Sequence, residues 1–234
     1  MDAAPTPPRR NFHGRRHGKA LKPNQRLWLD EDLPRLAIPG VAPRDNPARR
    51  PIHPATLFPD HRPLWLEIGF GGGEHMVHQA RVHPDVGLIG VEIFLNGVAM
   101  ALGKIRAAGV TNIRLHPGDV RDLMELLPDA CLARAFLLYP DPWPKARHHG
   151  RRFVTPEYLE PLARILTPGA EFRVATDIPD YVRQTLEEVP RAGLDLLTDP
   201  TACHTPWPDW HRTRYEAKAL REGRQPHYLT FRRI

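Results

Sequence analysis

From Leu64 onward, short apolar runs alternate with segments of helical character, and this alternation restricts the fold more than any other feature of the chain. The first two runs, at 64–68 and 87–92, are separated by a glycine-rich turn and by a helix predicted over 74–82. Apolar runs that alternate with helices are typical of buried strands in a parallel sheet. We therefore predict an α/β fold, a doubly wound and mostly parallel sheet with helices on both faces.

The same reasoning predicts the remaining elements. Helices are expected at 95–108, 120–126, 156–166 and 181–189, and strands at 112–115, 133–139, 171–175 and 228–232. Thr155 precedes a proline at the first helical position, so its side chain is expected to cap the helix that begins at Pro156.

The chain before Leu64 has a different composition. Residues 1–29 carry seven basic side chains and one acid, which accounts for the whole formal charge of +6, and 12 of the 27 prolines precede Leu64. Proline fixes φ and lacks a backbone donor, so recurrent prolines oppose regular helix and strand. We predict a basic disordered arm at 1–25, a loosely ordered Pro-rich extension at 26–63 and a folded domain at 64–234. The arm either attracts phosphate groups or is a solvated tail without function.

Several classes of protein are excluded. Cys131 and Cys203 lack C-x-x-C spacing, so neither a zinc ribbon nor a disulfide framework is predicted. The apolar runs are too short to span a membrane, and the N-terminus lacks the apolar core of a signal peptide. No further Cys or acid cluster accompanies His148 and His149, so no metal site is predicted. We expect a cytoplasmic protein without a membrane partner.

A glycine-rich turn, Leu-Glu-Ile-Gly-Phe-Gly-Gly-Gly at 66–73, follows the first predicted strand. Gly69 and Gly71 let the backbone turn tightly, so that a ligand can lie against main-chain N–H groups at the start of the next helix. The dinucleotide-binding pattern requires a third glycine at position 74, where the chain has Glu74. The turn therefore predicts a ligand site but argues against a bound pyrophosphate.

Carboxylates occur at the ends of the first three predicted strands. Glu67 lies two residues before the first glycine of the turn, where it suits a cationic amino group. Glu92 ends the second strand, where a carboxylate can accept from both hydroxyls of a ribose. Asp119 follows the third strand and can accept from an adenine amino group. Together these acids describe a pocket for S-adenosylmethionine, unless they are only polar residues at strand ends.

The fourth predicted strand is followed by Tyr-Pro-Asp-Pro-Trp-Pro-Lys at 139–145. Alternating prolines stiffen this loop, so Asp141 and Trp143 are held in place at the edge that faces the ligand crevice. Asp141 can accept from the ring N–H and amino groups of guanine, whereas Trp143 either stacks on a ligand or fills the core. Four basic residues follow and are expected to contact phosphates: Lys145, Arg147, Arg151 and Arg152.

These motifs resemble those of the bacterial tRNA (guanine-N7-)-methyltransferase family. The resemblance covers 64–234 and is carried by Pro-Asp-Pro-Trp at 140–143, Lys-Ala-Arg-His at 145–148, the glycine-rich turn, Ala-Thr-Asp at 175–177 and Thr-Arg-Tyr-Glu at 213–216. It implies a Rossmann-like class I methyltransferase fold. It also implies transfer of a methyl group from S-adenosylmethionine to N7 of guanine 46 in the variable loop of tRNA.

The resemblance also assigns site residues. Glu67, Glu92, Asp119 and Asp141 match the cofactor-side acids of the family, and Asp141 matches its proposed catalytic residue. The residues that match substrate-binding positions are Lys145, Asp177, Thr213, Arg214, Tyr215 and Glu216. Arg214 and Tyr215 stand where the family commonly has Lys and Phe, and these changes preserve the charge and the aromatic ring.

The expected chemistry needs few catalytic groups. Guanine N7 has an in-plane lone pair and no proton to lose, so positioning is the main requirement, and Asp141 would stabilise the positive charge that develops on the base.

Three alternative functions remain: a methyltransferase for exocyclic amino groups, a nicotinamide-dependent oxidoreductase and a non-catalytic RNA-binding module. Glu74 and the lack of a Tyr-Lys pair argue against the second, and the three ligand-facing acids argue against the third.

Overall fold

The computed structural model describes residues 14–199 and 201–234, and a seven-stranded sheet forms its centre. The strands are β1 (Leu64–Ile68), β2 (Gly87–Val91), β3 (Ile113–His116), β4 (Leu132–Leu138), β5 (Leu166–Thr176), β6 (Leu194–Leu196) and β7 (His227–Arg233). They follow the order β3-β2-β1-β4-β5-β7-β6 across the sheet. Strands β1 to β5 are parallel, and β7 is antiparallel to both β5 and β6. The predicted mostly parallel sheet is confirmed.

Helices cover both faces of this sheet, as predicted. They are α1 (Pro23–Glu31), α2 (Leu33–Leu36), α3 (Pro54–Leu57), α4 (Glu74–Val82), α5 (Leu95–Ala108), α6 (Val120–Met124), α7 (Pro156–Ile165), α8 (Pro179–Arg191) and α9 (Arg214–Arg221), with a 3₁₀ helix at Ala146–Arg151. Side chains alternate along β1, so Leu66 joins a cluster with α6, α7 and α8, whereas Trp65 joins a second cluster with α4 and α5. The sheet therefore has an apolar core on each side.

Several local expectations differ from the structure, and the sequence predicts no strand at Leu194–Leu196. Strand β5 begins at Leu166 instead of at 171, because Leu166 already pairs with Leu132, and the register then shifts before Arg134 pairs with Glu171. Thr155 occupies the N-cap position of α7, but its side chain makes no capping bond, so the predicted cap is wrong.

The prediction that prolines exclude helix before Leu64 is also wrong. Helix α1 begins at Pro23, where a missing N–H costs no hydrogen bond, and it includes residues 23–25 of the predicted arm. The extension also supplies core side chains, namely Ile38, Val41, Ile52, Leu57 and Phe58. Residues 14–22 contain neither helix nor strand, and the first half of the predicted arm, 1–13, lies outside the described residues.

Helix α1 packs on α5 through Trp28, and a stability measurement tests this contact. A Cβ atom at Gly103 would lie 2.5 Å from Cζ3 of the Trp28 ring. Alanine at this helical position should gain about 1 kcal/mol of helix propensity but lose about 1–3 kcal/mol to overpacking, so Gly103→Ala should lower the free energy of unfolding. In a Trp28→Ala background the same substitution should be stabilising. Urea unfolding of the wild type, the two single variants and the double variant measures whether the effect of Gly103→Ala on the free energy of unfolding changes sign. Equal destabilisation in both backgrounds would contradict the packing of Trp28 on Gly103.

Candidate active site

A cavity of about 390 Å³ lies at the carboxyl ends of β1, β2 and β4. The residues that follow these strands supply Gly69, Glu92 and Asp141 to its wall, and Tyr215 reaches it from α9. Arg15 lines it from the N-terminal segment. Ligands of doubly wound sheets bind at this edge, between the strands from which the chain leaves in opposite directions.

The glycine-rich turn forms one wall of the cavity. Gly69 has a φ of 69°, in the left-handed region, and a Cβ atom built there would meet nothing within 4 Å. At Gly71 a Cβ atom would lie 3.1 Å from the Tyr215 ring. The turn therefore leaves open space beside Gly69 and lets the Tyr215 ring rest on Gly71.

Glu92 holds this turn in place with its carboxylate. Its Oε2 accepts from the Gly71 N–H at 2.7 Å, and its Oε1 accepts from the Phe94 N–H at 2.7 Å. Burial raises the pKa of Glu92, against these two bonds, and the nearby charge of Asp141 raises it further. Each oxygen keeps a second lone pair, so Glu92 can still accept from ligand hydroxyls.

Asp141 lines the same cavity as Glu92 and has no such bonds. Among residues 14–199 and 201–234, none forms a hydrogen bond or an ion pair with its carboxylate. Loss of surrounding water raises the pKa of Asp141. Trp143 lines the same cavity, with the Arg151 guanidinium 5.0 Å from its ring centroid, and it belongs to neither core cluster. The loop thus presents both side chains to the cavity.

Three of the six predicted cofactor residues are absent from the cavity wall, namely Gly71 and the acids Glu67 and Asp119. Glu67 is 2 % exposed, and its Oε2 lies 2.6 Å from Nδ1 of the buried His75. Asp119 caps α6 by accepting from the Arg121 N–H and also binds the Arg121 guanidinium. Both carboxylates are therefore held by side chains of the chain itself.

Of the six predicted substrate residues, only Tyr215 lines the cavity. Lys145 is exposed, whereas Asp177 is buried and accepts from the Arg224 guanidinium. Thr213 caps α9, and Arg214 forms an ion pair with Glu74.

Glu216 is 3 % exposed, and its interior contacts explain how α9 is seated. Its Oε2 accepts from Nε1 of Trp210 at 2.7 Å, and its Oε1 accepts from the Tyr228 hydroxyl at 2.8 Å. Because Tyr228 belongs to β7, these bonds connect the first turn of α9, and with it Tyr215, to the sheet.

The sequence interpretation missed two residues and misplaced one. Tyr139 lines the cavity and His75 pairs with Glu67, but neither stands in a pattern that marks such a role. The Arg152 side chain is 0 % exposed, so the prediction that it contacts phosphates is wrong. Nothing in a row of basic residues distinguishes the buried one.

Comparisons with known proteins show the family to which this chain belongs. A family model described as "Putative methyltransferase" matches residues 61–229. The tRNA (guanine-N(7)-)-methyltransferase of Paracoccus denitrificans is 67% identical over 230 residues, covering 98% of this chain and 97% of that protein. The chain belongs to the tRNA (guanine-N(7)-)-methyltransferase family. The family member from Ruegeria pomeroyi is 68% identical over 231 residues, with 98% and 97% covered.

Solved structures agree on the fold. The aminoglycoside resistance methyltransferase NpmB1 superimposes with a TM-score of 0.55 at 17% identity, over 78% of this chain and 95% of that one. The 16S rRNA methyltransferase KamB gives a TM-score of 0.56 at 18% identity, with the same coverage. Similarity at this level of identity shows the Rossmann-like class I methyltransferase fold and nothing finer.

Neither a membrane-spanning helix nor a metal-binding cluster occurs in the part of the chain that the structure describes. Within it, no helix is long and apolar enough to cross a bilayer. The same residues contain no group of three or more His, Cys, Asp or Glu side chains placed to hold a metal ion.

The raised pKa of Asp141 predicts how stability depends on pH. Because the folded state raises this pKa, the ionised carboxyl group costs stability at neutral pH, and the cost disappears as the pH falls through the raised pKa. Asp141→Asn should therefore increase Tm at pH 7, and the difference should vanish below about pH 4, where both states are protonated. Thermal unfolding across this range checks it. A lower Tm at pH 7 would indicate a stabilising partner for the carboxylate.

Proposed function

We propose that this methyltransferase transfers the methyl group of S-adenosylmethionine to N7 of guanine 46 in the variable loop of tRNA. S-adenosylmethionine is the cofactor of the reaction. The observation that carries the proposal is the Asp141 carboxylate, which is held at the cavity wall without a partner among the described residues. Family membership supports the substrate class and the modified atom. A tRNA substrate would place the reaction in the cytoplasm.

The cavity fits the cofactor in size and in the hydrogen-bond acceptors that the ribose hydroxyls require. About 390 Å³ lies within the range of small-molecule sites, and the open space beside Gly69 lets a ligand approach the backbone. We assign Glu92 to the ribose hydroxyls, because its oxygens keep free lone pairs. Glu67 and Asp119 stay predictions as cofactor residues, since each must leave a partner, His75 or Arg121, to contact the ligand. The weight of the assignment therefore rests on Glu92, Gly69 and Gly71.

The bound cofactor supplies a methyl group on a positively charged sulfur. The guanine N7 lone pair forms the new bond to the methyl carbon as the carbon–sulfur bond breaks, so the positive charge passes to the base and no proton moves. Glu92 and Asp141 place negative charge at the cavity before and after this transfer. Asp141 accepts hydrogen bonds from guanine and stabilises the cationic product ring, which is electrostatic preorganisation of the kind seen in oxyanion holes with the sign reversed.

Exposed basic side chains in the segments that reach the cavity support tRNA as the substrate. Three segments reach the cavity wall. The N-terminal segment contributes Arg15, the loop after β4 contributes Arg151, and α9 contributes Tyr215. The exposed basic residues in these segments include Arg15, Arg16, Lys19, Lys145, Arg147, Lys218 and Arg221. Phosphate contacts from several directions suit a partner as large as tRNA, and the affinity should fall steeply with salt.

Product analysis tests the proposed reaction. Unmodified tRNA incubated with the protein and labelled S-adenosylmethionine should yield 7-methylguanosine after nucleoside digestion. The matched control is the same tRNA with adenine at position 46, which should accept no label. Methylation of an exocyclic amino group would favour the alternative methyltransferase, and label on the adenine-46 tRNA would overturn the assignment of position 46.

Two substitutions test the division between cofactor and base. Glu92→Ala should weaken S-adenosylmethionine binding by about 1.5–3 kcal/mol, or about tenfold to a hundredfold, because a charge-assisted hydrogen bond is lost. Asp141→Asn keeps the shape, so it should lower the methylation rate far more than the cofactor affinity. Calorimetry and single-turnover assays measure the two quantities. Equal losses in Asp141→Asn would make Asp141 a cofactor residue, and unchanged affinity in a folded Glu92→Ala would remove Glu92 from the pocket.

A further inference from the structure

The loop that carries Asp141, residues 139–152, has an unfavourable backbone on both sides of this residue. Tyr139 has a φ of 50° and Trp143 has a φ of 40°, although neither is glycine. Left-handed backbone at bulky residues costs free energy and persists only where surrounding contacts hold it. Something in the structure must therefore keep this loop in place.

The Arg152 guanidinium contacts this loop on the C-terminal side of Asp141. Its Nε donates to the Pro142 carbonyl at 2.9 Å, and its Nη2 approaches the Trp143 carbonyl at 3.4 Å. The Pro142 carbonyl belongs to the residue directly after Asp141. Arg152 therefore crosses the loop near its base and holds the backbone on the C-terminal side of Asp141.

The same guanidinium also contacts α8. Its Nη2 lies 2.8 Å from Oδ2 of Asp180, and its Nη1 donates to Oε1 of Gln184 at 2.9 Å. The Tyr181 ring, which is 0 % exposed, lies beside it with the guanidinium carbon 5.2 Å from the ring centroid. The Arg152 side chain is therefore held by contacts with α8.

We propose that Arg152 is a positioning residue for guanine methylation, connecting the backbone of the Asp141 loop to α8. The inference rests on the proposed function of Asp141. Arg152 binds no phosphate, because its side chain is fully buried and its donors face protein acceptors. It acts through the backbone on the position of Asp141 relative to the base.

This role requires arginine. The guanidinium presents five donors in a planar fork, so it can reach loop carbonyls on one side and α8 side chains on the other. A lysine ammonium keeps the charge but places its three donors at one point. Arg152→Lys should therefore retain the buried positive charge and lose the connection between the loop and α8.

The first arm of the experiment separates rate from binding. In single-turnover methylation of tRNA at saturating concentrations, Arg152→Lys should lower the rate about tenfold or more, because a displacement of about 1 Å is costly for a positioned group. The rate is expressed per cofactor site, counted by calorimetric titration with S-adenosylmethionine, so that a partly unfolded sample does not imitate the effect. The cofactor Kd and the salt dependence of the tRNA Kd should stay at the wild-type values.

The second arm weakens the connection from α8 and avoids the buried position. Asp180 is 44 % exposed, so Asp180→Asn is expected to fold, and it should lower the rate severalfold without changing the tRNA Kd. Glu187→Gln is the matched control on the same helix, since Glu187 pairs with Arg183, as Asp180 also does. The control should methylate at the wild-type rate. The effects of Arg152→Lys and Asp180→Asn should be less than additive in the double variant.

The third arm compares Arg152 with the neighbouring Arg151. Arg151→Gln, next to the buried residue, should raise the tRNA Kd and reduce the slope of log Kd against log salt by about one. The same reduced slope in Arg152→Gln, with a wild-type saturating rate, would overturn the inference and make Arg152 a phosphate contact. A wild-type rate in Arg152→Lys would also overturn it. Failure of the wild-type protein to form 7-methylguanosine would instead overturn the proposed function.

Discussion

The parallel pairing of β1 with both β2 and β4 is the constraint on which the rest of the structure depends. Leu66 pairs with Ile89 on one side and with Ala135 on the other. Because parallel strands end at the same edge, the three chain segments that leave them meet there, although they are far apart in sequence. The glycine-rich turn, Glu92 and the Asp141 loop form one cavity for this reason, and α9 only has to cover it.

The electrostatics of the cavity suit a reaction in which a positive charge passes from one ligand to another and remains within the cavity. Burial raises the pKa of both Glu92 and Asp141, so each carboxylate is less stable in the folded protein than in water. A cationic ligand offsets that penalty, because a nearby opposite charge favours the ionised carboxylate. Stability given up in the free protein is thus available for binding, a common relation between stability and function.

The segment before Leu64 shows where proline content misleads. Proline opposes helix in the interior, but Pro23 and Pro54 occupy the first turn of α1 and α3, where no donor is needed. The decisive contact for α1 is Trp28 against Gly103, and the two residues lie too far apart in the sequence for any local pattern to connect them. The central strands could be predicted, because most residues of a buried parallel strand are apolar.

The sequence by itself determined the parallel strands, the glycine-rich turn and the presence of carboxylates where strands end, because each depends on local pattern and on the shared edge of parallel strands. Only the tertiary structure decided which charged side chains have partners within the protein. Glu67 faces His75, Asp119 faces Arg121, and Arg152 lies under the Asp141 loop. A carboxylate or guanidinium in the interior takes whichever partner lies within hydrogen-bonding distance, and that distance is set by how helices pack on the sheet.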